Sequence, residues 1–127
     1  MTCVPDSLIK KLKSSEYKLI DYSKRPSAKQ FMIKIKEYNR ETPNITWQNE
    51  KITELQQKEN IERISYIEIN KLGSGYLCSS FDPLLFLYCE LFNVSIDCDF
   101  MGTLIKYKNI KHSNRVIHFS CSSSHFS

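Results

Sequence analysis

The chain lacks any apolar run near the roughly 20 residues that a helix needs to cross a bilayer, so no helical membrane span is expected. It also lacks the pattern of a secretory signal peptide, because Pro5, Asp6 and lysines interrupt the N-terminus early. No two cysteines stand in Cys-x-x-Cys spacing. The five present (Cys3, Cys78, Cys89, Cys98 and Cys121) are odd in number, which argues against both a zinc site and a disulfide framework. Neither a metal nor any other cofactor is expected. A reducing, cytoplasmic compartment fits this usage. The sequons Asn44-Ile45-Thr46 and Asn93-Val94-Ser95 then read as chance matches. Glycine is scarce, at three residues. Gly73-Ser74-Gly75 is too weak a signal for a phosphate-cradling loop and reads as a flexible connection. Internal repeats are lacking, and the serines near the C-terminus are the one low-complexity tract. A dominant charge sign is lacking too: 18 Lys and Arg against 14 Asp and Glu leave a net charge of +4. Lys10, Lys11, Lys13, Lys29, Lys34 and Lys36 read as solvated helix faces without interleaved aromatics. No nucleic-acid or membrane partner is expected from them.

What is present suits one globular domain over 1–127, with 41% hydrophobic and 25% charged residues. Cys3 to Leu12 reads as a turn into a helix, with Pro5 and Asp6 in its first turn and Leu8, Ile9 and Leu12 on one face. Tyr17 to Pro26 reads as irregular. Ser27 caps a helix over Ala28 to Arg40, with Phe31, Met32, Ile35 and Tyr38 on its apolar face. Asn44 to Gln48 reads as a short extended piece around Trp47. The polar stretch Glu50 to Arg63 reads as a third helix, with Ile52, Leu55 and Ile61 inward. Ile64 to Asn70 reads as a short strand.

The strongest local pattern begins at Phe81. Asp82 caps and Pro83 opens a helix through Phe92 that is apolar nearly all round, the mark of a buried helix. Asn93 stops it. Val94, Ile96, Cys98 and Phe100 alternate with Ser95, Asp97 and Asp99 as a half-buried strand. Met101-Gly102 turns the chain into a second strand, Leu104 to Lys108. Asn109 to Asn114 is a polar loop, and Arg115 to Ser120 is a third strand. Cys121 to Ser124 is a tight return before His125. The fold class is therefore α+β: N-terminal helices packed on a short antiparallel sheet with a buried helix. Cys89 and Cys98 read as buried small hydrophobes.

Cys3 sits at a helix N-terminus, a place that stabilises a thiolate and suits a nucleophile. It needs a histidine within reach. His112 lies in a polar loop, His118 inside a strand, and His125 at the start of the last extended segment. His118-Phe119-Ser120 duplicates the tripeptide His125-Phe126-Ser127.

The segment Cys3-Val4-Pro5-Asp6-Ser7-Leu8, the helix-strand pattern from Leu84 and the closing His125-Phe126 together resemble the ovarian-tumour (OTU) branch of papain-like cysteine proteases, in their small viral forms. The ending His125-Phe126-Ser127 is similar to the polyprotein-processing proteases of tymoviruses, which are also deubiquitinases. The likeness covers both ends of the chain and little of the middle. It implies a small papain-type OTU-like domain with Cys3 as nucleophile and His125 as general base. It also implies ubiquitin conjugates or a viral polyprotein as substrate, and a place in the host cytoplasm. Only Met1 and Thr2 precede Cys3, where the family carries residues of its oxyanion hole. Ser127 stands where cellular members carry a residue that orients the histidine. These departures restrict the chemistry to a Cys-His dyad, and they leave a catalytically inactive OTU-like protein-binding module as the second reading. Gly73 and Gly75 are candidates for close approach of a peptide tail. Asp97 and Asp99 are candidates for meeting basic residues of that tail.

Overall fold

The computed structural model describes residues 3–74, 78–112, 114–122 and 126–127; for residue 3 and residues 72–74 it describes the backbone. Among the described residues there are four α-helices: α1 (Cys3–Lys10), α2 (Ala28–Glu37), α3 (Glu54–Ser65) and α4 (Pro83–Phe92). Five strands, β1 (Ile45–Trp47), β2 (Glu50–Lys51), β3 (Ser95–Phe100), β4 (Thr103–Asn109) and β5 (Val116–Cys121), form one sheet in the order β2-β1-β4-β3-β5. The molecule is a small α+β domain. Among the described residues, no helix is long and apolar enough to cross a membrane.

Helix α4 is the centre of the fold. The Asp82 carboxylate accepts the Leu84 N–H at 2.9 Å, and Pro83 takes the first helical position, where a missing N–H costs nothing. Asn93 ends the helix in the left-handed conformation. All ten residues between are buried. Full burial of each Leu or Phe is worth about 1.5–3 kcal/mol, so α4 holds both layers together. Phe86 meets Tyr107 of β4 edge-on at 5.1 Å, and Tyr88 meets Phe119 of β5 at 6.3 Å. Phe92, one turn beyond Tyr88 and 5.0 Å from its ring, stacks on Phe31 of α2 at 6.3 Å. The sheet thus receives α4 directly, while α2 packs chiefly on α1 and the 3-10 helices.

The sheet is mixed, not antiparallel as the alternating pattern implies. β3 and β4 form a hairpin closed by Met101 and Gly102, both at positive φ (50° and 89°). β1 takes the free edge of β4. The chain leaves β4 at the end where β3 begins, so its return strand lies beside β3 and parallel to it, Ser95 opposite Val116 and Phe100 opposite Cys121.

Three other expectations are corrected. Residues 64–70 are not a strand. The Thr53 cap, with its reciprocal Gln56 partner, starts α3 late, and the helix runs through Ser65 before a 3-10 helix, Ile69–Ser74. Leu55 does not face inward: it is 66% exposed, while Gln57 turns inward because its Oε1 accepts the buried Thr42 N–H at 2.8 Å. Ile52 is buried, but it precedes the helix. Residues 17–26 are irregular only in part, since a 3-10 helix spans Ser14–Ile20 and buries Tyr17 and Ile20.

Candidate active site

The two ends of the chain meet. Helix α1 lies along β5 and runs against it. At its far end the Lys11 carbonyl accepts the Arg115 guanidinium at 2.7 Å, just before β5 begins. That guanidinium also forms a short ion pair with Glu16. At mid-helix the Leu8 carbonyl accepts the Tyr88 hydroxyl at 2.8 Å. Nearer the start, the Ser7 hydroxyl donates to the Phe126 carbonyl at 3.0 Å, across 119 residues of sequence. Cys3 opens α1 one turn before Ser7. The first turn of α1 therefore points to the end of the sheet where β5 finishes.

Phe126 fixes the C-terminal segment there. Its ring is 3% exposed and stacks on Phe119 at 4.9 Å. Backbone pairing holds the segment against β5: Phe126 bridges Cys121, and Ser120 and Ser127 exchange N–H···O bonds of 2.9 Å in both directions. Lys11 Nζ stands 6.0 Å above the Phe119 ring. Phe126 is the residue next to His125. His125 and the Cys3 side chain lie outside the described residues.

The other two histidines are placed clearly. His118 is exposed in β5, opposite Asp97, on the sheet face turned away from α1 and α4. Its neighbour Phe119 takes the inner face, as strand alternation requires. His112 is exposed in the loop after β4, where its backbone N–H donates to Asn109 Oδ1 at 2.9 Å. It lines a cleft of about 470 Å³ with Asn44, Glu90 and Lys111, at the C-terminal end of α4. Inside that cleft Glu90 accepts the Asn44 backbone N–H at 3.3 Å and the Asn44 side-chain amide at 3.1 Å.

Three more cysteines gather at the N-terminal end of α4, a grouping that sequence spacing did not reveal. Cys98 and Cys121 are buried on the inner face of adjacent strands, and half-buried Cys78 comes down on them from the segment before α4. The Cys78 thiol donates to the Ser79 carbonyl at 3.7 Å, and the interaction with the Cys98 sulfur raises Cys78 and lowers Cys98. Burial raises Cys121, while a hydrogen bond with Cys78 opposes that rise. Cys89, on α4, is raised by burial alone in the main. The segment above them is tied to the sheet through Tyr107, whose hydroxyl accepts the Asp82 N–H at 3.1 Å and donates to the Ser80 carbonyl at 2.9 Å. Among the described residues, no group of three or more His, Cys, Asp or Glu could hold a metal ion.

Of the residues tied to substrate handling, Gly73 lies in the 3-10 helix Ile69–Ser74, and Gly75 lies outside the described residues. Asp99 is exposed on β3 and Asp97 is half-buried. Comparison with family models, with curated proteins and with solved structures finds no match to this chain.

Proposed function

We propose that this chain is an OTU-like cysteine protease, cleaving peptide or isopeptide bonds of ubiquitin conjugates or of a viral polyprotein with a Cys3–His125 dyad. The observation that supports this reading is the Ser7–Phe126 hydrogen bond of 3.0 Å. It ties the residue one turn after Cys3 to the residue immediately after His125, although sequence puts them at opposite ends. The surface location of His118 and His112, with His118 on the outer face of the sheet, favours His125 over them as the base.

The chemistry follows from the residue types. The N–H groups of the first turn of α1 favour the Cys3 thiolate, and a charged His125 favours it further. The thiolate attacks the scissile carbonyl, and the imidazolium gives its proton to the leaving amine as the C–N bond breaks. An acyl group remains on the Cys3 sulfur. Neutral His125 then takes a proton from water as the water oxygen attacks the thioester. The thiolate leaves and the acid product is released.

The test is cleavage of isopeptide-linked diubiquitin by four variants. Cys3→Ala and His125→Ala should each lower turnover about 10³-fold or more. His118→Ala and His112→Ala should retain it. Folded wild-type protein without cleavage of diubiquitin or of peptides spanning viral polyprotein junctions would leave a protein-binding module instead.

A further inference from the structure

The cleft beside His112 opens at the C-terminal end of α4, and its walls are fixed. Asn109, fully buried, accepts the Lys111 and His112 N–H groups on Oδ1 at 3.0 and 2.9 Å, and its own amide donates to the Cys89 carbonyl of α4 at 3.1 Å. The Ile110 N–H ties the same loop to the Asn44 carbonyl at 2.9 Å. Glu90 is 9% exposed. Its Oε1 accepts the Asn44 backbone N–H and its Oε2 the Asn44 side-chain amide. A carboxylate oxygen has two lone pairs, so each keeps one for a further donor. Helix α4 turns the negative end of its dipole to this place, and its last turn holds no basic residue to answer it. Arg40, Lys111 and His112 line the same cleft, with Glu41 beside Arg40 in sequence. Among the described residues, none of Arg40, Glu41, Glu90, Lys111 and His112 is in an ion pair. The cleft thus holds charges of both signs without letting them neutralise one another by contact.

We propose that this cleft binds a free α-amino acid, whose ammonium group donates to Glu90 and whose carboxylate is taken by Arg40 and Lys111. Charge sets the class of ligand. Two cations, Arg40 and Lys111, stand against two carboxylates, Glu41 and Glu90, while His112 is neutral at its ordinary pKa. A zwitterion meets a partner for each of its charges and leaves the balance unchanged. A phosphate dianion would meet both carboxylates, and a simple amine would meet both cations. The planar Arg40 guanidinium matches the edge of a carboxylate. The Glu90 lone pairs and the α4 carbonyl end suit an ammonium group. A volume of about 470 Å³ leaves room for a side chain as well. The site involves no cysteine and is independent of the Cys3–His125 dyad.

The test is an NMR titration of the full-length chain at neutral pH with four probes: L-alanine, N-acetyl-L-alanine, L-alaninamide and inorganic phosphate. L-Alanine should give saturable shifts of the Asn44, Lys111 and His112 amides. N-Acetyl-L-alanine lacks the ammonium group and L-alaninamide lacks the carboxylate. Each should bind about tenfold more weakly or worse, the loss expected for one hydrogen bond between charged groups. Glu90→Gln should weaken L-alanine by a similar factor. Arg40→Gln, at an exposed position outside the core, should do the same and leaves the fold intact. An absence of shifts with L-alanine, N-acetyl-L-alanine bound as well as L-alanine, phosphate bound more tightly than L-alanine, or undiminished affinity in Arg40→Gln would each overturn the assignment.

Discussion

Replacing Ser7 by alanine removes the hydroxyl that donates to the Phe126 carbonyl at 3.0 Å and leaves every other contact of α1 in place. A neutral hydrogen bond of this kind contributes about 1 kcal/mol net. Alanine is the better helix former, and the exchange returns about 0.5 kcal/mol to a helical position. Global stability should therefore fall by only about 0.5 kcal/mol, a shift of about 2 °C in Tm for a chain of this length. Local opening of the C-terminal segment is different. Helix α1 stays formed when that segment lifts, so the propensity gain cancels and the full ~1 kcal/mol is lost. Because each 1.4 kcal/mol is tenfold, opening becomes about fivefold more frequent. The reporters are the amides of Ser120 and Ser127, which donate to each other's carbonyls at 2.9 Å. Hydrogen exchange followed by NMR should show both accelerated about fivefold in Ser7→Ala, with the α4 amides unchanged. Unaltered exchange at Ser120 and Ser127 would refute the idea that α1 holds the C-terminal segment. A uniform acceleration across the molecule would refute the claim that the effect is local.

Gly102→Ala should cost about 1–2 kcal/mol in denaturant unfolding. Its φ of 89° disfavours a side chain, while an added Cβ would meet nothing within 4 Å, so backbone conformation alone sets the loss. Tyr107→Phe should cost about 1–3 kcal/mol, because the buried Asp82 N–H and the Ser80 carbonyl both lose the hydroxyl. Tyr38→Phe should raise the Asp21 pKa in a carboxyl NMR titration. The Tyr38 hydroxyl bond, then the Lys34 bond, hold that carboxyl below its ordinary 3.8. The sign follows: Asp21 stabilises the fold at pH above 3.8, and this contribution is lost as pH falls through its lower folded value. An unshifted Asp21 titration in Tyr38→Phe would contradict the assignment.

Elements whose signals are local were legible in the sequence. The Asp82-Pro83 start, the all-round apolar body and the Asn93 stop of α4 each act within one or two turns, and the helix appears with those ends. The Ser27 cap and the Met101-Gly102 turn are local in the same sense. What was not legible depends on partners distant in the chain. The parallel pairing of β5 follows from β1 occupying the other edge of β4, which no pattern within β5 encodes. Gln57 turns inward instead of Leu55 because the Thr42 N–H waits for it. At the site, Cys3 was marked by its helix start, but Ser7 carries no motif, and its role emerges only where α1 crosses Phe126. Cys78, Cys98 and Cys121 showed no metal-ligand spacing because a loop and two parallel strands bring them together.

The dyad is tested most directly by incubating the full-length protein with ubiquitin carrying a thiol-reactive C-terminus and mapping the adduct by mass spectrometry. We expect one ubiquitin per chain, attached at Cys3, with no adduct in Cys3→Ala, greatly slowed labelling in His125→Ala and undiminished labelling in His118→Ala. An adduct at Cys78 or at any cysteine other than Cys3, or His125→Ala labelled as fast as the wild type, would contradict it.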